Sequence, residues 1–181
     1  GCSTESGIPD YRGPDGGRRV PAPIRYRDFV GDEEARRRYW ARSAVGWPRM
    51  ARAAPNPAHE ALARLESMGA VRGVITQNVD GLHQSAGSRE VLELHGSLGD
   101  VLCLECGTVA SRKDVQQRIL ELNPGWRRGR VPGMAPAPGA DRERRSASTV
   151  EVAPDGDAAV PRAAARGFRV PACGRCGGAL K

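Results

Sequence analysis

The chain has 181 residues, a formal charge of +7, and is 39% hydrophobic but only 4% aromatic. That length can bury a sizeable core for one domain with a smaller second unit, and no apolar run approaches the roughly 18 residues that span a bilayer. The charge does not argue for nucleic acid. Among 28 basic residues only Lys113 and Lys181 are lysine; the arginines lie among Ala, Gly and Pro as a GC-rich coding bias would place them, and the few aromatics leave little for stacking on bases.

From the amino end, Gly1-Cys2-Ser3-Thr4-Glu5-Ser6-Gly7 is rich in small residues and suits a turn beside a phosphate, a weak signal by itself. Asp32 can cap a helix through Val45 that stops before Gly46-Trp47-Pro48. Asn56-Pro57 starts a second helix, with Ala61, Leu62, Leu65 and Met68 as its apolar stripe and Gly69 as its end. Val71 to Thr76 is predicted to be a buried parallel strand. It delivers Gln77, Asn78, Val79 and Asp80 at its carboxyl end, where open α/β sheets bind ligands. Ser111 and Asp114 read as a capping box for a third helix over Val115, Ile119 and Leu122, closed by Asn123-Pro124. From about Arg127 to Arg166 periodicity fails and a poorly ordered insertion is expected.

The strongest local signal is Cys103-Leu-Glu-Cys106-Gly107 together with Cys173-Gly-Arg-Cys176-Gly177. Each C-x-x-C-G sets two sulfurs on one knuckle, and two knuckles complete a tetrahedral four-thiolate shell for zinc. With no open position, such a metal is structural. A redox pair or an iron–sulfur centre would use the same residues, and the 66 residues between the pairs exceed the usual ribbon gap. Free thiols favour a reducing interior, a bacterial cytoplasm first and a mitochondrial matrix second. Cys2, outside the set, reads as a small, partly buried residue. Of the three histidines, His59 reads as a surface or capping residue, and spacing alone makes His83 and His95 satisfied structural histidines.

Four blocks in order change that weighting: Gly1-x-Ser3-x-x-Ser-Gly-Ile-Pro-Asp10-Tyr11-Arg12, Thr76-Gln-Asn-Val-Asp-Gly-Leu-His83, Leu94-His95-Gly96, and the two cysteine pairs. Together they resemble the sirtuin family, and Arg38-Tyr-Trp-Ala-Arg42 with Val45-Gly-Trp-Pro48 is similar to its class II branch. The resemblance covers about residues 1–126 and 167–181. It implies an α/β fold with a Rossmann-like parallel sheet and a small Cys₄ zinc-ribbon domain, the division falling near residue 100. It also implies NAD-dependent removal of acyl groups from protein lysines. On that basis Gly1, Ser3, Asp10, Tyr11 and Arg12 would cover NAD, and Gln77, Asn78, Val79 and Asp80 would line the ribose and nicotinamide pocket. His95 would be the general base, and Cys103, Cys106, Cys173 and Cys176 would hold Zn²⁺. The residue types suit this: neutral imidazole can take a hydroxyl proton, uncharged amides bind ribose and carboxamide, and the Asp80 carboxylate can stabilise developing positive charge.

The expected partners are therefore acyl-lysine proteins and NAD, with no membrane. NAD-dependent mono-ADP-ribosyl transfer is the alternative chemistry, and a zinc-ribbon protein binding nucleic acid is the alternative class. By the same resemblance the chain begins within a glycine motif and stops after the second knuckle. The expectation is an incomplete sheet and an inactive or weakly folded fragment of an active enzyme.

Overall fold

The computed structural model of the chain describes residues 1–10, 22–134 and 150–181. A 3₁₀ turn over Thr4–Ser6 precedes helices α1 (Tyr26–Gly31), α2 (Glu33–Met50) and α3 (Pro57–Ser67). Strand β1 (Val74–Thr76), the short α4 (Leu82–Ser85) and β2 (Val91–Glu93) follow, then β3 (Asp100–Leu102), β4 (Val109–Ser111) and α5 (Arg112–Leu122). A 3₁₀ turn over Pro124–Gly129 and helix α6 (Arg162–Ala165) complete the described elements.

Asp32 caps α2 as expected, accepting from the backbone N–H of Glu34 and Ala35 at 2.9 and 3.2 Å. The helix does not stop at Gly46, however, but runs through Pro48 to Met50. Proline removes the bond that would satisfy the carbonyl four residues back. That carbonyl belongs to Ala44, and Gln116 of α5 donates its Nε2 to it at 2.9 Å. A side chain 72 residues away repairs the ladder, which no local reading of residues 32–50 reveals. Gly46 persists inside the helix because the backbone of Gly156 crosses it; an added Cβ would lie 2.0 Å from the Gly156 oxygen.

Strand β1 pairs in parallel with β2, in the register Val74 with Val91 through Thr76 with Glu93. The expected burial is not observed among the described residues: Ile75 and Leu92 are exposed, as are Leu65 and Met68 of the α3 stripe. Strands β3 and β4 form a separate antiparallel pair. The main core joins α1, α2 and α5 to the cysteine region through Phe29, Trp40, Val101, Val115, Ile119, Phe168 and Leu180. Fully burying one such side chain contributes roughly 2 kcal/mol. A smaller cluster of Ile8, Met50 and Leu82 packs under the amino-terminal segment.

The expected disordered insertion also needs correction where it is described. Val131, Ala153, Ala158 and Ala165 are buried, and Val152 bridges Ala158. Alanines packing singly against a core carry no periodicity, so the segment looks structureless in sequence while holding defined positions. No described helix is long and apolar enough to cross a membrane.

Candidate functional site

The carboxyl end of β1 turns directly into the residues expected to bind ligand. Asn78 anchors the turn through its backbone N–H, which donates to Thr76 Oγ1 at 3.0 Å. Its side-chain Nδ2 donates to Ser3 Oγ at 2.9 Å, and Ser3 Oγ donates in turn to Asp80 Oδ2 at 2.7 Å. Asp80 Oδ1 accepts from the backbone N–H of Leu82 at 3.0 Å, opening α4, after Gly81 has turned the chain through φ +69°. The chain Asn78, Ser3, Asp80 thus ties the amino-terminal segment to the strand end, with Ser3 buried.

Around this network lies a cleft of about 120 Å³. Gly1, Ser3, Asp10, Gln77, Asn78, Val79 and Asp80 all line it. Tyr11 and Arg12, expected beside them, lie outside the described residues.

His95 is exposed and lines a second cleft of about 370 Å³, with Tyr39, Trp40, Arg112, Asp157 and Lys181 on its walls. Val79 lines both clefts. Its carbonyl accepts from the Leu98 N–H at 2.9 Å, so the segment from His95 to Leu98 is pinned to the strand end that carries Asn78 and Asp80. The turn at Gly96 has φ +79°, a left-handed conformation that suits glycine.

The walls of this second cleft were not legible as site residues. Arg112 is buried at the start of α5, its guanidinium carbon 4.9 Å from the Trp47 ring centroid and 5.4 Å from that of Trp40. It donates to Gln116 Oε1 at 2.8 Å and to Ser43 Oγ at 2.9 Å. Burial draws its pKa down to about 10, which leaves it a cation at neutral pH. Lys181 Nζ sits 4.5 Å from the Tyr39 ring centroid, and burial lowers its pKa. On the opposite side Asp157 pairs with Arg42, and burial, outweighing the pull of Arg42, pushes its carboxyl up to about 6. Asp157 belongs to the segment that sequence assigned to an insertion, and no spacing signal connects it to His95.

The four cysteines converge. Cys103 Sγ is 3.5 Å from Cys176 Sγ, and Cys106 Sγ is 3.8 Å from Cys173 Sγ; all four sulfurs lie within 4.8 Å of one another. A tetrahedron with arms of about 2.3 Å has edges of roughly 3.8 Å, so the set fits zinc without rebuilding. The backbone N–H of Arg175 and Gly178 donate to Cys173 and Cys176 sulfurs, each at 3.4 Å. Gly107 and Gly177 close the two knuckles at φ +69° and +76°. Paired backbone bonds between Leu102 and Lys181, at 2.7 and 2.9 Å, bring the knuckles together across the sequence gap.

The remaining residues singled out depart from expectation only in part. His59 is fully buried, not at the surface, and performs the capping role: its Nδ1 accepts from the Asn56 N–H at 3.3 Å. Burial first, and His83 second, lowers its pKa. His83 is buried too, but its Nδ1 has no hydrogen-bond partner among the described residues. Cys2 is exposed, not partly buried.

A profile of the Sir2 family matches residues 1–181, the supposed insertion included. The chain is 46% identical over 181 residues to an NAD-dependent protein deacetylase of Xanthomonas campestris pv. campestris (strain 8004), covering all of this chain and 55% of the relative. It is 45% identical over 184 residues to the human mitochondrial NAD-dependent protein lipoamidase sirtuin-4, covering 52% of that protein. The chain therefore spans about half the length of the curated relatives it matches. A Sir2 structure with a p53 peptide and NAD⁺ aligns with TM-score 0.54 at 39% identity, over 65% of this chain and 46% of that one. A Sir2 structure bound to a propionylated peptide aligns with TM-score 0.58 at 28% identity, over 99% of this chain and 52% of the other.

Proposed function

The chain belongs to the Sir2 family, and from that membership we propose that the intact protein uses NAD to remove acyl groups from protein lysines, forming nicotinamide and O-acyl-ADP-ribose. The observation that carries the proposal is the abutment of two clefts at Val79, one holding the Asn78, Ser3 and Asp80 network and the other His95.

In this reading the first cleft takes the nicotinamide riboside portion of NAD, with Gln77 and Asn78 as amide partners and Gly1, Ser3, Asp10, Tyr11 and Arg12 on its cover. Asp80, positioned by Ser3 and Leu82, faces the charge that builds as nicotinamide departs. The lysine acyl oxygen attacks the anomeric carbon as the glycosidic bond breaks. His95 Nδ1 or Nε2 then takes a proton from a ribose hydroxyl, whose oxygen adds to the acyl carbon; water adds to the same carbon, the lysine amine leaves with a proton, and the acyl group stays on that ribose oxygen. The four-cysteine shell, filled by zinc, holds the Lys181 side of the second cleft in place and takes no part in proton transfer.

Relatives bearing deacetylase and lipoamidase names bracket the acyl groups worth testing. The experiment is nicotinamide release from NAD by the intact protein with acetyl-, propionyl- and lipoyl-lysine peptides, beside His95→Ala. Multiple-turnover, peptide-dependent release that the variant loses by a factor of about 100 or more, with no more than the first equivalent surviving because His95 acts after nicotinamide departs, supports general-base deacylation. Transfer of ADP-ribose to a protein, with the acyl group retained, would replace it with ADP-ribosylation.

A further inference from the structure

Beside the first cleft, three ligand atoms outside the four-cysteine shell come together, the Cys2 sulfur also accepting from Asn78 Nδ2 at 3.3 Å. Cys2 Sγ lies 3.9 Å from His59 Nε2, and the His59 and His83 rings stand 4.8 Å apart between centroids. The sulfur and one nitrogen from each ring all fall within 4.8 Å of one another. We propose that Cys2, His59 and His83 form a second metal site, for a zinc-class divalent ion, with an open fourth position.

Two independent observations point to a ligand here. His83 is only 4% exposed, yet its Nδ1 is buried with no hydrogen-bond partner among the described residues. A buried imidazole nitrogen left bare carries a desolvation cost of about 1–3 kcal/mol. The ligands also come from three separate elements, the amino-terminal segment, α3 and α4, so their convergence is a product of the fold and not of sequence proximity. One thiolate and two imidazoles form a donor set that zinc accepts, and three protein ligands leave a position for water. In a tetrahedral site the sulfur-to-nitrogen edge is about 3.5 Å. Closing from 3.9 Å therefore asks for a shift of a few tenths of an ångström, which the exposed Cys2 can make.

The site has a built-in cost. His59 Nδ1 accepts the Asn56 N–H; ligation through Nε2 puts the proton on Nδ1 and gives up that helix-capping bond. The trio therefore binds more weakly than the four-cysteine shell and fills after it. Gly1 and Ser3 flank Cys2 and line the cleft, so the site adjoins the surface proposed to receive NAD.

The test uses the intact protein loaded with one equivalent of zinc in the four-cysteine site and then titrated with Co²⁺. A thiolate-to-cobalt charge-transfer band should grow to one further equivalent. Cys2→Ser should lose the band's sulfur character, and His83→Gln should weaken Co²⁺ binding at least tenfold, with melting temperature checking that each variant folds. Absence of a second equivalent in the parent protein, or a band unchanged in Cys2→Ser, would overturn the proposal. Neither readout depends on catalytic activity, so the site stands or falls separately from the deacylase reading.

Discussion

Gly46 shows how a single residue records a distant neighbour. Its hydrogen faces the Gly156 backbone, and a methyl group there would meet the carbonyl oxygen at 2.0 Å and its carbon at 2.8 Å. Backbone cannot swing aside as a flexible side chain would, so Gly46→Ala should cost about 3 kcal/mol in denaturant unfolding despite the better helix propensity of alanine. A neutral result would mean that the segment around Gly156 does not pack on α2. Asp157, next to that crossing, gives a pH-dependent counterpart. Burial raises its pKa from 3.8 to about 6 against the pull of Arg42, so the folded state holds its proton more tightly than the unfolded chain. The stabilisation is fully present below about pH 4 and is lost as pH rises through about 6, a span of at most about 3 kcal/mol. Asp157→Asn removes this titration. The melting-temperature advantage of the parent over the variant should shrink between pH 4 and pH 6, and an advantage that grows would reverse the assignment.

The elements were legible to the degree that their causes are local. Asp32, Asn56 and Ser111 cap three helices from within one turn, and the β-branched run before Gln77 does form a parallel strand. The continuation of α2 past Pro48 was not, because its cause is Gln116 on another helix. Gln116→Leu tests that cause: it strips the Ala44 carbonyl of its donor and Arg112 of an acceptor inside the core. The expected loss is about 2–3 kcal/mol in chemical denaturation, with reduced helix signal from residues 46–50. Full stability would show that water or a neighbouring group satisfies the carbonyl instead. The candidate site divides along the same line. Cleft residues from Gln77 to Asp80 share one strand end and one motif, whereas Arg112, Asp157 and Lys181 reach the His95 cleft from three unrelated segments and carry no common spacing.

At the scale of the whole molecule, the cysteine knuckles and the His95 cleft are one mechanical unit. Cys103 bridges Leu180, the Leu180 carbonyl accepts from Trp40 Nε1 at 3.1 Å, and Lys181, on the cleft wall, lies over Phe29 and Tyr39. Leu180 itself is 1% exposed within the main core. A zinc ion closing the four sulfurs would therefore fix the carboxyl segment that seats Trp40, even though none of the four cysteines lines the His95 cleft. Without it, the pairing of Leu102 with Lys181 rests on two backbone bonds at the end of a short strand, and crowded thiols would separate. Stripping zinc from the intact protein with a chelator should move tryptophan emission to longer wavelength as Trp40 meets water. On the proposed deacylase reading, acyl-peptide-dependent nicotinamide release should fall at least tenfold, and added zinc should restore both signals together. Loss of zinc that leaves emission and release unchanged would uncouple the knuckles from the cleft, and would mean that the packing of Trp40 against Leu180 holds this wall without help from the metal.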